Sequence, residues 1–196
     1  MNSGNHLVTA IALCAISLLS PASARGQRRA IDIEKSTMTV HVYKAGVFSA
    51  LGHNHEIVAP IARGTVDPAA HQVELYVKSG TLKVRDPEVS EKDRAEIQST
   101  MLGPDVLDAQ NQPEIAFRST QADSAGAGAW KLSGNLTVRG QSHMVNVEVQ
   151  EKNGRYVGTS RFKQTEFGIT PVKVAGGAIR VKDEILVEFD IQLAQP

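Results

Sequence analysis

The residues best suited to chemistry in this 196-residue sequence stand close together, in Gly52-His53-Asn54-His55-Glu56. In an extended segment alternate residues face the same way, so His53 and His55 would share a side. Such a pair could hold one metal ion, with Glu56 or His41 as a further ligand. Two histidines do not complete a site, and His71 and His143 lie beside apparent turns instead of forming a second cluster. The competing reading is a pair of loop histidines that bond backbone groups or line the mouth of a barrel. No metal site is assigned; His53, His55 and His41 are the alternative donor set.

Other reactive patterns are weaker. Asp86, Glu88, Glu91 and Asp93 could pair as acid and base, but they precede a predicted helix, whose N-terminus favours negative charge. Serines occur without a Gly-x-Ser-x-Gly elbow, and Gly176-Gly177 lies outside any phosphate-loop pattern. Nothing demands an enzyme or a cofactor.

The elements that must position these residues are strands. In Trp130 to Gln150, Leu132, Leu136 and Val138 share one face with Gly134, while Lys131, Ser133, Asn135, Thr137 and Arg139 take the other. After the turn at Arg139-Gly140-Gln141-Ser142 the alternation resumes with Val145, Val147 and Val149. Period two with one apolar face predicts an antiparallel hairpin. Similar runs cover Ala30 to Ile33, Thr37 to Tyr43, Ile57 to Val66, Gln72 to Val84, Glu114 to Thr120, Arg155 to Phe162 and Ala178 to Leu193. Ala45 to Glu56 lacks periodicity and reads as a loop with a short turn of helix.

Ser90 to Leu102 reads as the one helix. Ser90 and Asp93 resemble a capping box, Gly103-Pro104 stops it, and Ile97, Met101 and Leu102 give a narrow apolar stripe. Seven to nine strands with hairpin spacing and one helical insertion predict an all-β antiparallel barrel or sandwich. A barrel of about eight strands is either filled by side chains or holds one small ligand. Phe48, Leu51, Phe117, Trp130, Leu132, Leu136, Phe162 and Phe167 are the larger candidates for its lining; alternation does not separate lining from plain core.

Leu7 to Leu19 is apolar but too short to span a bilayer, and Ala22-Ser23-Ala24 offers small residues for cleavage. Residues 1–24 therefore read as a secretory signal peptide, although the preceding segment has no Lys or Arg. Residues 25–196 remain as one domain, without Cys14, the only cysteine, and so without disulfide or thiol chemistry. Lys plus Arg and Asp plus Glu are both 21, and no basic stripe suggests nucleic acid.

Several segments together resemble the YceI-like family of exported, lipocalin-like barrels that bind polyisoprenoid lipids. Gly134-Asn135-Leu136-Thr137-Val138-Arg139-Gly140-Gln141-Ser142 is similar to the family's Gly-Asp-Leu-Thr hairpin. Ile31-Asp32 with Ser36 resembles its opening strand pair, and Leu107-Asp108-Ala109, Pro113 and Phe117-Arg118-Ser119-Thr120 resemble the approach to its next strand. Val106, Gln112 and the Gly52-His53-Asn54-His55 loop depart from its common pattern. The resemblance implies a lipocalin-like barrel and a periplasmic or secreted protein that carries a polyisoprenoid or quinone-like lipid, with His53 and His55 at the barrel mouth. A metal-binding envelope protein and a filled barrel acting as an adaptor are the alternatives. A homodimer is among the oligomeric states left open.

Overall fold

The computed structural model describes residues 28–45, 54–174, 176 and 179–195. Phe48, Leu51, His53 and the signal segment 1–24 lie outside the described residues. Among these residues twelve strands form one antiparallel sheet: β1 (Arg29–Ala30), β2 (Thr37–Ala45), β3 (His55–Val58), β4 (Ile61–Asp67), β5 (Gln72–Lys78), β6 (Lys83–Val84), β7 (Glu114–Gly126), β8 (Ala129–Val138), β9 (Gln141–Lys152), β10 (Arg155–Lys163), β11 (Lys173–Val174) and β12 (Ile179–Gln192). The expectation of about eight strands counts the long runs. The larger number arises because Ala59-Pro60 divides one run into β3 and β4, and because β1, β6 and β11 are only two residues long.

That division curls the sheet on itself. β3 pairs with β2, with Val40 opposite Ile57 and Val42 opposite His55, whereas β4 pairs with β5. From β5 the ladder runs through β7, β8, β9, β10 and β12 back to β2. At the opposite end, residues 29–32 close the seam: β1 pairs with β4, Ile31 bridges Leu193, and the Asp32 N–H donates to the Gln192 carbonyl at 2.8 Å. The result is an all-β, lipocalin-like antiparallel barrel, as expected. His55 and Glu56 belong to β3, so the loop read from the sequence ends earlier than Glu56.

The hairpin over Trp130 to Gln150 forms as read, with Gly134 opposite Val145 and Leu132 opposite Val147. Its turn places Arg139 at φ 51° and Gly140 at φ 72°. The left-handed pair matches strand twist in a two-residue connection. Gly134 has a further reason to be glycine. A Cβ there would stand 2.6 Å from the Phe117 ring and 2.5 Å from the Arg118 carbonyl oxygen. Its absence lets the ring lie against the wall.

α1 (Glu91–Leu102) begins at Ser90, whose hydroxyl accepts from the Asp93 N–H at 3.1 Å and donates to the Asp93 carboxylate at 2.8 Å. The capping pair read from the sequence is therefore present. Gln98 ties α1 to the sheet, donating to the Leu82 carbonyl and accepting from the Val84 N–H, both at 2.8 Å. Met101 is buried against the core. Arg139 fastens two loops beside it, donating to the carbonyls of Pro104 at 2.7 Å and Gly168 at 2.8 Å. Among the described residues no helix is long and apolar enough to cross a membrane.

Candidate functional site: the barrel interior

The alternating strands aim one hydrocarbon face inward, and the space between those faces is not filled. A cavity of about 760 Å³ runs inside the barrel, within the range of small-molecule sites. Rows of alternate residues make its wall: Met38, Val40 and Val42 on β2, Val73, Leu75 and Val77 on β5, and Val145, Val147 and Val149 on β9. Of the residues singled out in the sequence, Phe117, Trp130, Leu132, Leu136, Phe162 and Phe167 line this cavity. Phe162 and Phe167 meet edge to face at 5.4 Å between ring centroids, and Phe167 is only 1% exposed.

The two ends differ. Near one end Trp130 contacts His71 at 5.5 Å and Tyr156 at 6.4 Å between centroids. Burial, then the neighbouring Glu151 charge, push the Tyr156 hydroxyl above the usual tyrosine range, with Arg29 opposing them.

At the other end, the inward row of β2 continues from Val42 to Lys44, and β3 places His55 beside Val42. α1 turns Asp93, Glu96, Ile97, Thr100 and Met101 toward the cavity, residues whose spacing marks one helical face. The helix therefore covers this end of the interior, which its sequence stripe alone did not show.

His55 is held there by Asp86. Its Nδ1 lies 2.6 Å from Asp86 Oδ2, and the Glu56 N–H donates to Asp86 Oδ1 at 2.8 Å. Asp86 is 4% exposed. It thus serves β3 instead of the helix N-terminus, whereas Glu91 and Asp93 of the same acidic cluster do stand in the first turn of α1, Asp93 with the capping contact. Sequence reading missed the pair because 31 residues separate the partners. The one hint was a histidine at the polar end of an inward strand row.

The metal alternative loses one donor by the same periodicity. His41 and Glu56 are cross-strand partners on the outer side, and His41 Nε2 lies 3.0 Å from Glu188 Oε2. His55 faces the cavity, so His41 and His55 stand on opposite sides of the wall. Among the described residues no three His, Cys, Asp or Glu side chains are grouped for a metal.

Among the described residues the outer wall carries one buried aromatic. Tyr76 lies under the Arg63 guanidinium, 3.7 Å from the ring centroid, and accepts from Arg118 Nη2 at 2.7 Å. Arg63 also pairs with Glu114 at 2.8 Å. The bonds to Glu114 and Tyr76 push both guanidiniums above the usual arginine range. This cluster braces β4, β5 and β7 from outside and leaves the interior to apolar groups.

This antiparallel barrel around an apolar cavity has the architecture of the lipocalin-like class. Its sequence places it further: the profile of the YceI-like domain matches residues 30–193, and the chain belongs to that family. A UPF0312 protein of Shewanella putrefaciens is 28% identical over 171 residues, covering 81% of this chain and 85% of the relative. A UPF0312 protein of Shewanella baltica is 30% identical over the same length, with the same coverage. Among solved structures, BcnA of Burkholderia cenocepacia superposes with a TM-score of 0.63 at 20% identity, over 84% of this chain and 99% of that one. The YCEI protein of Campylobacter jejuni gives 0.50 at 15% identity, over 71% and 82%. These likenesses establish the fold.

Proposed function

We propose that this chain is an exported carrier or store for a long apolar molecule, of polyisoprenoid or quinone-like type, held inside the barrel. The observation that carries this reading is the cavity of about 760 Å³ with its hydrocarbon wall. A barrel acting through its outer surface alone would gain nothing from leaving that volume open, since empty apolar space costs packing energy. The mechanism is burial without reaction. Each methylene removed from water contributes about 0.8 kcal/mol, so a long chain retains ample driving force after the entropy of association is subtracted. Phe117, Trp130, Leu132, Leu136, Phe162 and Phe167 supply lining, and residues 1–24 act as the export signal ahead of a single domain, 25–196.

Native mass spectrometry of protein purified without detergent, followed by denaturation and solvent extraction, tests this. A released apolar mass supports the carrier. A metal adduct alone would move attention to His53 and His55, and a bare protein that also fails to take up added isoprenoid would overturn the reading.

A further inference from the structure

The inward row of β2 changes character once, from Met38, Val40 and Val42 to Lys44, and β3 sets His55 beside that change. The cavity is apolar along its middle and carries polar groups at both ends, Lys44, His55, Asp93 and Arg180 at the α1 end and His71 and Glu151 near Trp130, so its shape suits an amphiphile. Several polar groups near the lining are already engaged inside the protein. Ser160 donates to the Asn146 carbonyl at 2.8 Å, Gln164 donates to the Lys182 carbonyl at 2.8 Å, and the Asp93 carboxylate accepts from Ser90. His55 is different. Asp86 fixes its Nδ1, while Nε2 makes no hydrogen bond among the described residues, and the side chain is only 18% exposed.

Resting on the carrier reading above, we propose that the His55–Asp86 pair is the head-group anchor of the cavity and that the ligand it selects is a long-chain alcohol. Asp86 accepts on both oxygens, from His55 Nδ1–H and from the Glu56 N–H. In the neutral ring that arrangement leaves Nε2 as an acceptor. A ligand hydroxyl donates to it, and the apolar chain then runs from the α1 end toward Trp130. A phosphate head is disfavoured by the charges at this end. Lys44 and Arg180 are offset by Asp93 and Glu96, so the lining offers no net positive field.

The sequence contains one tryptophan, Trp130, and it lies at the far end of the cavity, so its fluorescence reports binding without competing with the anchor. The purified protein is titrated with an isoprenoid alcohol, its methyl ether and the hydrocarbon of equal length. One hydrogen bond from a desolvated hydroxyl gives the alcohol about a tenfold advantage over the ether. In His55→Phe that advantage disappears while the hydrocarbon binds as before. His55→Gln, which restores a polar atom at similar reach, recovers part of it. Circular dichroism of both variants establishes that the sheet persists. Equal affinity for alcohol and ether in the unaltered protein, or an alcohol preference that survives His55→Phe, overturns the anchor while leaving the carrier intact. Failure of all three compounds to bind removes the carrier reading, and the anchor with it.

Discussion

The two ends of the barrel are built from the same strands yet do different things. At the far end the seam is closed by short backbone ties, Ile31 against Leu193 and Ala30 against Ala194, and the lining is aromatic: Trp130 with His71 and Tyr156. At the α1 end the chain leaves the sheet, and a helix, a 3₁₀ turn (Gln164–Phe167) and two loops tied by Arg139 stand over the opening. Hydrogen-bonded strand edges give a stiff seal, whereas a helix fastened through a few side chains can open locally at much lower free energy. On the carrier reading, one end therefore seals and the other admits and selects.

Plugging the middle should produce the largest effect. Val147 faces inward opposite Leu132 and is buried. Val147→Trp fills the space of about four methylenes, which at about 0.8 kcal/mol each lowers affinity for an isoprenoid by a hundredfold or more. The fold persists because the added rings enter open space. Calorimetric titration checks this; unchanged affinity would place the ligand outside the barrel and make the contrast between its ends irrelevant to binding.

Next in size is a difference in stability between the ends. Asp86→Ala strips the His55 ring and the Glu56 N–H of their acceptor in a buried place, costing about 2–3 kcal/mol. Trp130→Phe at the other end keeps an aromatic plug and costs about 1 kcal/mol. Urea unfolding of the two variants measures the gap. Similar costs would mean that the pair contributes no more to the fold than an ordinary contact.

How far the sequence reveals this molecule follows the same division. Period two puts Leu132, Leu136 and Val138 on one face, and that face is the inward one, because strand alternation is a local property. The capping pair at Ser90 and Asp93 was readable for the same reason, with partners three residues apart. The His55–Asp86 pair was not, since only tertiary folding brings β3 beside the segment after β6. His41 and His55 looked like partners because they share a residue type, yet their strand register puts them on opposite sides of the wall. Tyr76 carries no signal of its own in the sequence, because Arg63 and Arg118, which cover it, come from β4 and β7. Whether the barrel was hollow could not be read at all, because side chains that fill an interior and those that merely line it alternate identically.

A smaller effect tests which end opens. Ser90→Ala removes the cap of α1 and lowers stability by about 1 kcal/mol. If release passes beneath α1, the same change speeds dissociation of a bound isoprenoid several-fold, up to about tenfold if the whole cost falls on the closed state. Stopped-flow transfer to vesicles gives the rate. A rate that responds to Trp130→Phe and not to Ser90→Ala would move the door to the aromatic end.

The smallest effect concerns Tyr156, which reports how dry the aromatic end is. Burial is the main reason its hydroxyl titrates above the ordinary value of 10.0, followed by Glu151, with Arg29 opposing. The folded state thus disfavours phenolate relative to the unfolded chain. The tyrosine's contribution to stability is therefore intact below about pH 10 and is lost as pH rises through the higher folded value. Tyr156→Phe has no phenolate to bury, so its melting temperature falls less than that of the unaltered protein between about pH 9 and pH 11. A bound chain reaching this end would dry it further, pushing the titration higher still and widening the difference between the two melting curves. Coincident curves would show that water reaches Tyr156 freely and that the aromatic end is no seal.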